Sequence, residues 1–282
     1  MQSNLLTNGV SLLERTKLLL RRYHISPNRL LGQNFMIEPS IIQSMSDYAS
    51  LDKDDVTLDI GAGLGFLTRF LTGKCRSVLA VEADNRLIRI LLEQFKNVPN
   101  VRVIAGNVLR TDVPQFDKVV SIPPYRISSR LLLWLLDRGF DSSVLIFQKE
   151  FANRLVAPVG TEDYGWLTVL TYYRAKCELF EEVPKHVFYP QPDVNSIIVR
   201  LELRKSKPFT VRNELLFTRL MQTLFTQRNR KVRNAVHIFL RSKLAKTVQD
   251  AEAIASKVPY SDERVRMLAP EDFGELANVL FS

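Results

Sequence analysis

Short runs of apolar, often β-branched residues recur along the first half of the chain, and each is followed by a stretch whose apolar positions fall three and four apart. The runs Val56 to Ile60, Ser77 to Val81, Val101 to Ala105, Val119 to Ile122 and Ser143 to Gln148 have the length and composition of buried strands. Between them, Phe66 to Leu71, Arg86 to Phe95 and Arg126 to Gly139 carry helical spacing. Strands alternating with helices over such short links predict a mostly parallel sheet covered on both faces. Ahead of this region, Val10 to Tyr23 and a stretch beginning near Pro39 predict helices. Beyond it, Lys149 to Ala157 predicts another, followed by a Gly160/Gly165 loop and the apolar segment Leu167 to Tyr173. Cys177 to Glu182 and Ile197 to Leu203 predict the final strands. From about Pro208 the alternation stops, and helical spacing runs to the end with breaks near Pro259 and Pro270. The class is α/β, with a small all-helical C-terminal domain.

The strand ends carry the candidate chemistry. After the first comes Gly61-Ala62-Gly63-Leu64-Gly65, whose alternate glycines let the backbone turn sharply and approach a ligand beside a helix N-terminus. Its third glycine falls one residue earlier than in Gly-x-Gly-x-x-Gly, which argues against a nicotinamide-dependent oxidoreductase. Glu82 ends the second strand, where a carboxylate can accept both hydroxyl protons of a ribose. Asn107, at the tip of the third, suits either the reading of a purine edge or an ordinary turn.

The fourth strand runs into Pro123-Pro124-Tyr125. Prolines have no N–H for a ladder, so the backbone leaves the sheet there, and the tyrosine ring is carried over the carboxyl edge where open α/β sheets bind ligands. Such a ring can stack on a nucleobase while proline carbonyls accept from its exocyclic amine; a plain strand-to-loop exit accounts for the same residues. Two polar stretches complete the set. Ser26 to Phe35 offers the Gln33 and Asn34 amides, and Pro184 to Asp193 is a proline-stiffened loop expected to expose Phe188 and Tyr189 for base stacking.

Length and charge narrow the class further. A chain of 282 residues with 46% hydrophobic and 24% charged content suits one large or two modest globular domains. No apolar run approaches the roughly 18 residues of a membrane span, so no membrane partner is expected. The leucine-rich, basic stretch near the start contains Glu14 and lacks a cleavage-like end, and it reads as a domain helix rather than a transit peptide. Cys75 and Cys177 have no ligand or disulfide spacing and suit a reducing compartment; His186 has no ligand partner, and no metal is expected. The net charge of +9 points to a polyanion. Its excess is concentrated between Arg204 and Lys243, where Arg228, Arg230, Lys231 and Arg233 lie within six positions, and this favours nucleic acid.

Taken together these stretches resemble the rRNA adenine N6,N6-dimethyltransferases of the KsgA type, over about Leu31 to Leu280. The matching motifs are Leu31-Gly32-Gln33-Asn34-Phe35, Asp59 to Thr68, Glu82-Ala83-Asp84, Gln148-Lys149-Glu150, Phe188 to Ser196, and Gln227 to Ala235. The resemblance implies a Rossmann-like seven-strand S-adenosylmethionine methyltransferase sheet over residues 1–205, with an N-terminal helical extension (1–30), and a helical, basic rRNA-binding domain over 206–282. Asn34 and Met36 would hold the methionine end of S-adenosylmethionine, Gly61 and Gly63 would lie beneath it, Glu82 would take the ribose, and Asn107 and Ile122 would flank the adenine. The substrate would be adjacent adenines in the hairpin loop near the 3′ end of small-subunit rRNA, each held between Tyr125 and Phe188. Arg228, Arg230, Lys231 and Arg233 would grip phosphates. A cytoplasmic monomer acting in ribosome biogenesis on the pre-small subunit is implied.

The chain departs from the family pattern at Asn107, where the family has Asp, and at Ile122, where it has the Asn of Asn-x-Pro-Tyr. In the family that Asn and the next carbonyl accept the two N–H bonds of N6, drawing a delocalised nitrogen toward tetrahedral geometry. Here the Pro123 carbonyl remains and the amide does not; Ser121 lies on the opposite strand face. Loss of such a partner lowers rates by about 10²–10³. An enzyme is therefore expected, with an assembly factor of weak or lost transferase activity as the alternative.

Overall fold

The computed structural model describes residues 10–28 and 32–281, so Leu31 of the first motif lies outside the described residues. Helix α1 (Leu12–Arg22) starts at a capping box in which Ser11 and Glu14 satisfy each other's backbone N–H groups. Strand β1 (Phe35–Met36) precedes α2 (Pro39–Ala49), whose first residue is a proline. The alternating region follows as β2 (Val56–Ile60), α3 (Phe66–Leu71), β3 (Ser77–Glu82), α4 (Asn85–Phe95), β4 (Val101–Ala105), β5 (Lys118–Ser121), α5 (Ser128–Leu136) and β6 (Ser142–Gln148). Next come α6 (Lys149–Leu155), α7 (Trp166–Arg174), β7 (Ala175–Val183), β8 (Phe188–Tyr189) and β9 (Ser196–Leu203). Helices α8 (Glu214–Phe225), α9 (Val232–Lys243), α10 (Val248–Ala255) and α11 (Pro270–Leu280) complete the chain.

Seven strands form one sheet in the order β4-β3-β2-β5-β6-β9-β7. β4, β3, β2, β5 and β6 run parallel, and β9 returns antiparallel to β6 from Gln148↔Ser196 to Ser142↔Glu202. Leu58, Val78, Ala80, Val119, Val120, Val144 and Ile146 have no exposure beyond 0%. That two-sided burial explains why the central strands read as unbroken apolar runs; each large side chain so buried stabilises the fold by about 1.5–3 kcal/mol. The chain leaves β2 toward β3 and β4, then returns to place β5 on the other side of β2. A crevice therefore opens at the carboxyl ends of β2 and β5, the switch point of the topology.

Compact units divide the chain at other places than a single boundary at 205/206. One unit comprises residues 1–152 and 178–203, and the other 153–177 and 204–282. The apolar segment around Leu167 is helix α7, and Val169 and Tyr173 join Tyr164, Phe217, Leu220, Met221, Phe239 and Phe273 in the buried core of the helical unit. A second pairing was not expected from the sequence: β1 and β8 form a two-stranded sheet, with Phe35 opposite Tyr189 and Met36 opposite Phe188. Among the described residues no helix is long and apolar enough to cross a membrane.

Candidate active site

The end of β2 enters the glycine turn, and Gly61 and Ala62 both donate to the Val81 carbonyl, at 2.7 and 3.1 Å. Gly61 has a φ of +75°, and a Cβ there would stand 2.9 Å from Cδ of Pro124. Only glycine allows the turn and the proline pair to approach this closely. On the other side of Pro124 lies Gly32, whose Cβ would meet the proline ring at 3.4 Å. The first motif, the glycine turn and the Pro-Pro-Tyr exit thus meet at one proline.

Glu82, 8% exposed, completes the turn. One carboxylate oxygen accepts from the Gly63 N–H at 2.9 Å, and the other from the N–H groups of Ala83 and Asp84 at 2.8 and 2.9 Å. Burial raises its pKa against the lowering effect of these bonds. Asp84 caps α4 and binds the Arg86 guanidinium, which holds its pKa down at about 2 with a further donor in Gln33 at 2.7 Å. Gln33 in turn accepts from the Asn28 N–H at 2.8 Å, so its amide anchors the first motif to the acidic tip of β3.

Two adjoining cavities lie here, of about 270 and 50 Å³. Asn34, Phe35, Gly61, Gly63 and Ile122 line both. Glu82, Asp84, Asn107, Pro124, Arg126 and Arg130 line the larger, and Met36 and Asp59 the smaller. Six of the predicted residues, Asn34, Gly61, Gly63, Glu82, Asn107 and Ile122, therefore share one cavity wall system. Asn107 takes the turn role, one of the two expected of it. Its side-chain carbonyl accepts from the Leu109 N–H at 3.1 Å, closing a turn, and its NH₂ is what remains for a ligand.

The Pro-Pro-Tyr exit is held by its neighbours. Ser121 donates to the Ile60 carbonyl at 2.7 Å and accepts the Ile60 N–H at 3.1 Å, which commits its hydroxyl to the β2/β5 seam. Ile122 packs against the apolar cluster that contains Met36, Val120 and Phe188. The carbonyls of Pro124 and Tyr125 accept from Ile127 and Ser128, whereas no described donor takes that of Pro123. The Tyr125 hydroxyl shares a 2.7 Å hydrogen bond with Ser196, and burial pushes its pKa up to about 12.

Phe188 requires a correction. It is 2% exposed, paired through β8 with Met36 and packed in the apolar cluster, so it is not the exposed stacking platform expected of its loop. The sequence also gave no separate role to Asp59, which lies 1% exposed at the end of β2 and accepts from the Thr68 hydroxyl at 2.6 Å. Burial, with Glu82 nearby, raises its pKa to about 7. A carboxylate inside an apolar strand beside a glycine turn was the available signal. Arg126 and Arg130 were likewise not singled out.

In the helical unit the predicted cations differ in status. Arg228 donates to the carbonyls of Glu162 and Thr161 at 2.5 and 2.6 Å. Lys231 and Arg233 share Asp262, at 2.8 and 2.6 Å, and lower its pKa. Arg230 has an exposed side chain.

A sequence profile described as "Ribosomal RNA adenine dimethylase" matches residues 25–270. The chain belongs to this family. Membership makes it an S-adenosylmethionine-dependent rRNA adenine dimethyltransferase in class. It is 38% identical over 265 residues to a "Probable ribosomal RNA small subunit methyltransferase A" of Methanosarcina acetivorans, covering 93% of this chain and 97% of the relative. To the protein of the same description in Thermococcus kodakarensis it is 38% identical over 262 residues, covering 93% of each. Among solved structures, a dimethyladenosine transferase from Plasmodium falciparum superposes with a TM-score of 0.72 at 24% identity, covering 86% of this chain and 95% of that one, and shares the fold. The 23S rRNA methyltransferase ErmE does so with a TM-score of 0.63 at 27% identity, covering 88% and 100%.

Proposed function

We propose that this protein transfers methyl groups from S-adenosylmethionine to N6 of two adjacent adenines in the hairpin loop near the 3′ end of small-subunit rRNA, as a cytoplasmic monomer acting on the pre-small ribosomal subunit. The observation that carries the reading is the cavity at the switch point, which gathers Asn34, the glycine turn, Glu82, Asn107 and Ile122. This donor set fits the cofactor: a carboxylate acceptor for the ribose, an amide NH₂ for a ring nitrogen, and glycine backbone for close approach. The volume, with its smaller neighbour, reaches the lower end of the roughly 300–1,000 Å³ that ligand sites occupy.

When bound, S-adenosylmethionine supplies an electrophilic methyl carbon on sulfur. Three of the roughly four lone-pair sites of Glu82 are taken by backbone donors, and the one left on the oxygen that faces Gly63 is available to a ribose hydroxyl. Asn107 donates to the purine, and Asn34 holds the methionine end with Met36 packed behind it. The untaken Pro123 carbonyl accepts one N–H of the target amine. Tyr125, fixed by Ser196, offers a ring against the extruded base. Phe188 acts one step back, by holding β1 and therefore Asn34. No proton-transfer base is required, because the amine loses its proton to water once alkylated. The exposed Arg230 and the cations around Asp262 bind rRNA phosphates, which makes affinity fall with salt.

A second reading is favoured by one observation, the apolar Ile122 at the cavity wall. It is an assembly factor that holds the subunit with little transfer. Labelled methyl transfer to unmethylated small subunits, run beside the Ile122→Asn variant, separates the two. Rapid dimethyladenosine formation by the unaltered protein establishes the first. Subunit binding without transfer, restored by Ile122→Asn, establishes the second, and failure to bind either donor or subunit removes both.

A further inference from the structure

Two of the sequence motifs, Gln148-Lys149-Glu150 and Phe188 to Ser196, meet outside the cavity, and the meeting point is Asn195. Its side-chain carbonyl accepts from the Lys185 N–H at 3.0 Å, its NH₂ donates to one oxygen of Glu182 at 2.5 Å, and its backbone carbonyl accepts from the Lys149 N–H at 3.0 Å. The other Glu182 oxygen accepts from the Lys149 ammonium at 2.5 Å, and both donors hold the Glu182 pKa below its ordinary value. The junction of β6 with α6, the end of β7 and the start of β9 are therefore tied together at the base of the loop over residues 184–195. Lys149 and Glu182 are exposed, and bonds this open to water add little to stability. What they fix is a position. The next residue, the buried Ser196, pairs with Gln148 and shares the hydrogen bond that fixes the Tyr125 hydroxyl.

We propose that Asn195 is a positioning residue for the transfer reaction: by clasping Lys185, Glu182 and Lys149 it holds Ser196 against the end of β6, and through Ser196 it sets where the Tyr125 ring stands beside the target base. The inference rests on the reading of Tyr125 as the surface that receives the extruded adenine. An amide suits the role because it both donates and accepts, so one side chain answers a backbone N–H and a carboxylate at once. A carboxylate at this position would face Glu182 with like charge, and alanine would leave both partners to water. In either case the loop loses the crosslink at its base, Ser196 gains freedom, and the ring shifts relative to the Pro123 carbonyl. A shift of about 1 Å is enough to lower a transfer rate by about 10²-fold.

The test uses the full chain labelled with 3-fluorotyrosine, whose Tyr125 fluorine NMR signal is identified by its loss in Tyr125→Phe, together with methyl transfer to unmethylated small subunits. We expect Asn195→Ala and the isosteric Asn195→Asp to move or broaden the Tyr125 signal and to lower kcat by about 10–10²-fold, with the KM for both substrates and the urea midpoint nearly in place. The Asn195→Asp/Glu182→Gln pair exchanges donor and acceptor across the same bond and should restore both signal and rate, which general damage to the loop would not allow. In a Tyr125→Phe background, where Ser196 has no hydroxyl to hold, Asn195→Ala should cost little more. A Tyr125 signal unmoved in both single variants overturns the proposal. So does a lost rate that the exchanged pair fails to recover, or one that is as large in the Tyr125→Phe background. If the unaltered protein transfers no methyl groups, the functional reading falls by that result alone, and the fluorine comparison still decides whether Asn195 places the ring.

Discussion

Gly61→Ala tests whether the glycine turn sets the geometry of the Pro-Pro-Tyr exit. The φ of +75° places an alanine in the left-handed region, which costs about 1–2 kcal/mol for an L residue. Its Cβ would lie 2.9 Å from Cδ of Pro124, inside van der Waals contact with a rigid ring. Relief requires a displacement of roughly 0.5–1 Å in the segment that carries the Pro123 carbonyl, and a misplacement of about 1 Å lowers catalytic rates by about 10²-fold. The variant should therefore lose about 2 kcal/mol of stability and about two orders of magnitude in methyl transfer. Urea unfolding followed by Trp134 fluorescence in a Trp166→Phe background reports on the unit that holds the site, because Trp134 lies on α5 and Trp166 on α7. Gly73→Ala is the control, since it has an ordinary φ and its nearest neighbour would be 4.0 Å away. Gly61→Ala with the stability and transfer rate of the Gly73 variant would refute the reasoning.

Tyr125→Phe leaves the 0% exposed Ser196 hydroxyl without its partner and should lower stability by about 1–3 kcal/mol in the same unfolding assay. Asp59 is raised in the folded state to about 7, so between the unfolded pKa near 4 and pH 7 the native state binds the extra proton and stability falls as pH rises. The Asp59→Asn variant should lose that slope, with a difference on the order of 4 kcal/mol reached by pH 8; parallel pH dependences of the two proteins would exclude it. Arg228→Ala should destabilise the helical unit by about 1.5–3 kcal/mol through its two carbonyl acceptors, whereas Arg230→Ala should weaken RNA binding and leave the unfolding midpoint in place.

What could be read in the sequence was local. The central strands are legible because burial on both faces makes them continuously apolar, and the turn and exit because glycine and proline restrict the backbone whatever surrounds them. The β1/β8 pairing is not, since two-residue strands carry no periodicity and their partners lie far apart in the chain. The burial of Phe188 follows from that pairing, and an aromatic between prolines looks exposed until its partner Met36 is known. Asn107 shows the same limit on a smaller scale: its place at a strand tip was evident, but the choice of the Leu109 N–H by its carbonyl was not. The membership of α7 in the helical unit was not legible for a related reason. The apolar face of α7 requires a partner, and nothing in residues 166–174 says that it lies among helices more than forty positions away.

Ile122 carries the sharpest consequence of the fold, because stability and transfer pull it in opposite directions. Half-buried against the apolar cluster, its side chain contributes roughly 1 kcal/mol that an amide would forgo. The same substitution would add the second acceptor that the Pro123 carbonyl lacks, worth about 10²–10³ in rate. Ile122→Asn should therefore unfold at lower urea concentration and transfer methyl groups faster, a combination that ordinary core damage does not produce. Loss of stability with no gain in transfer, while donor and RNA still bind, would show that the missing acceptor does not limit the chemistry. The apolar side chain would then act by shaping the cavity around the cofactor rather than by withholding a hydrogen bond.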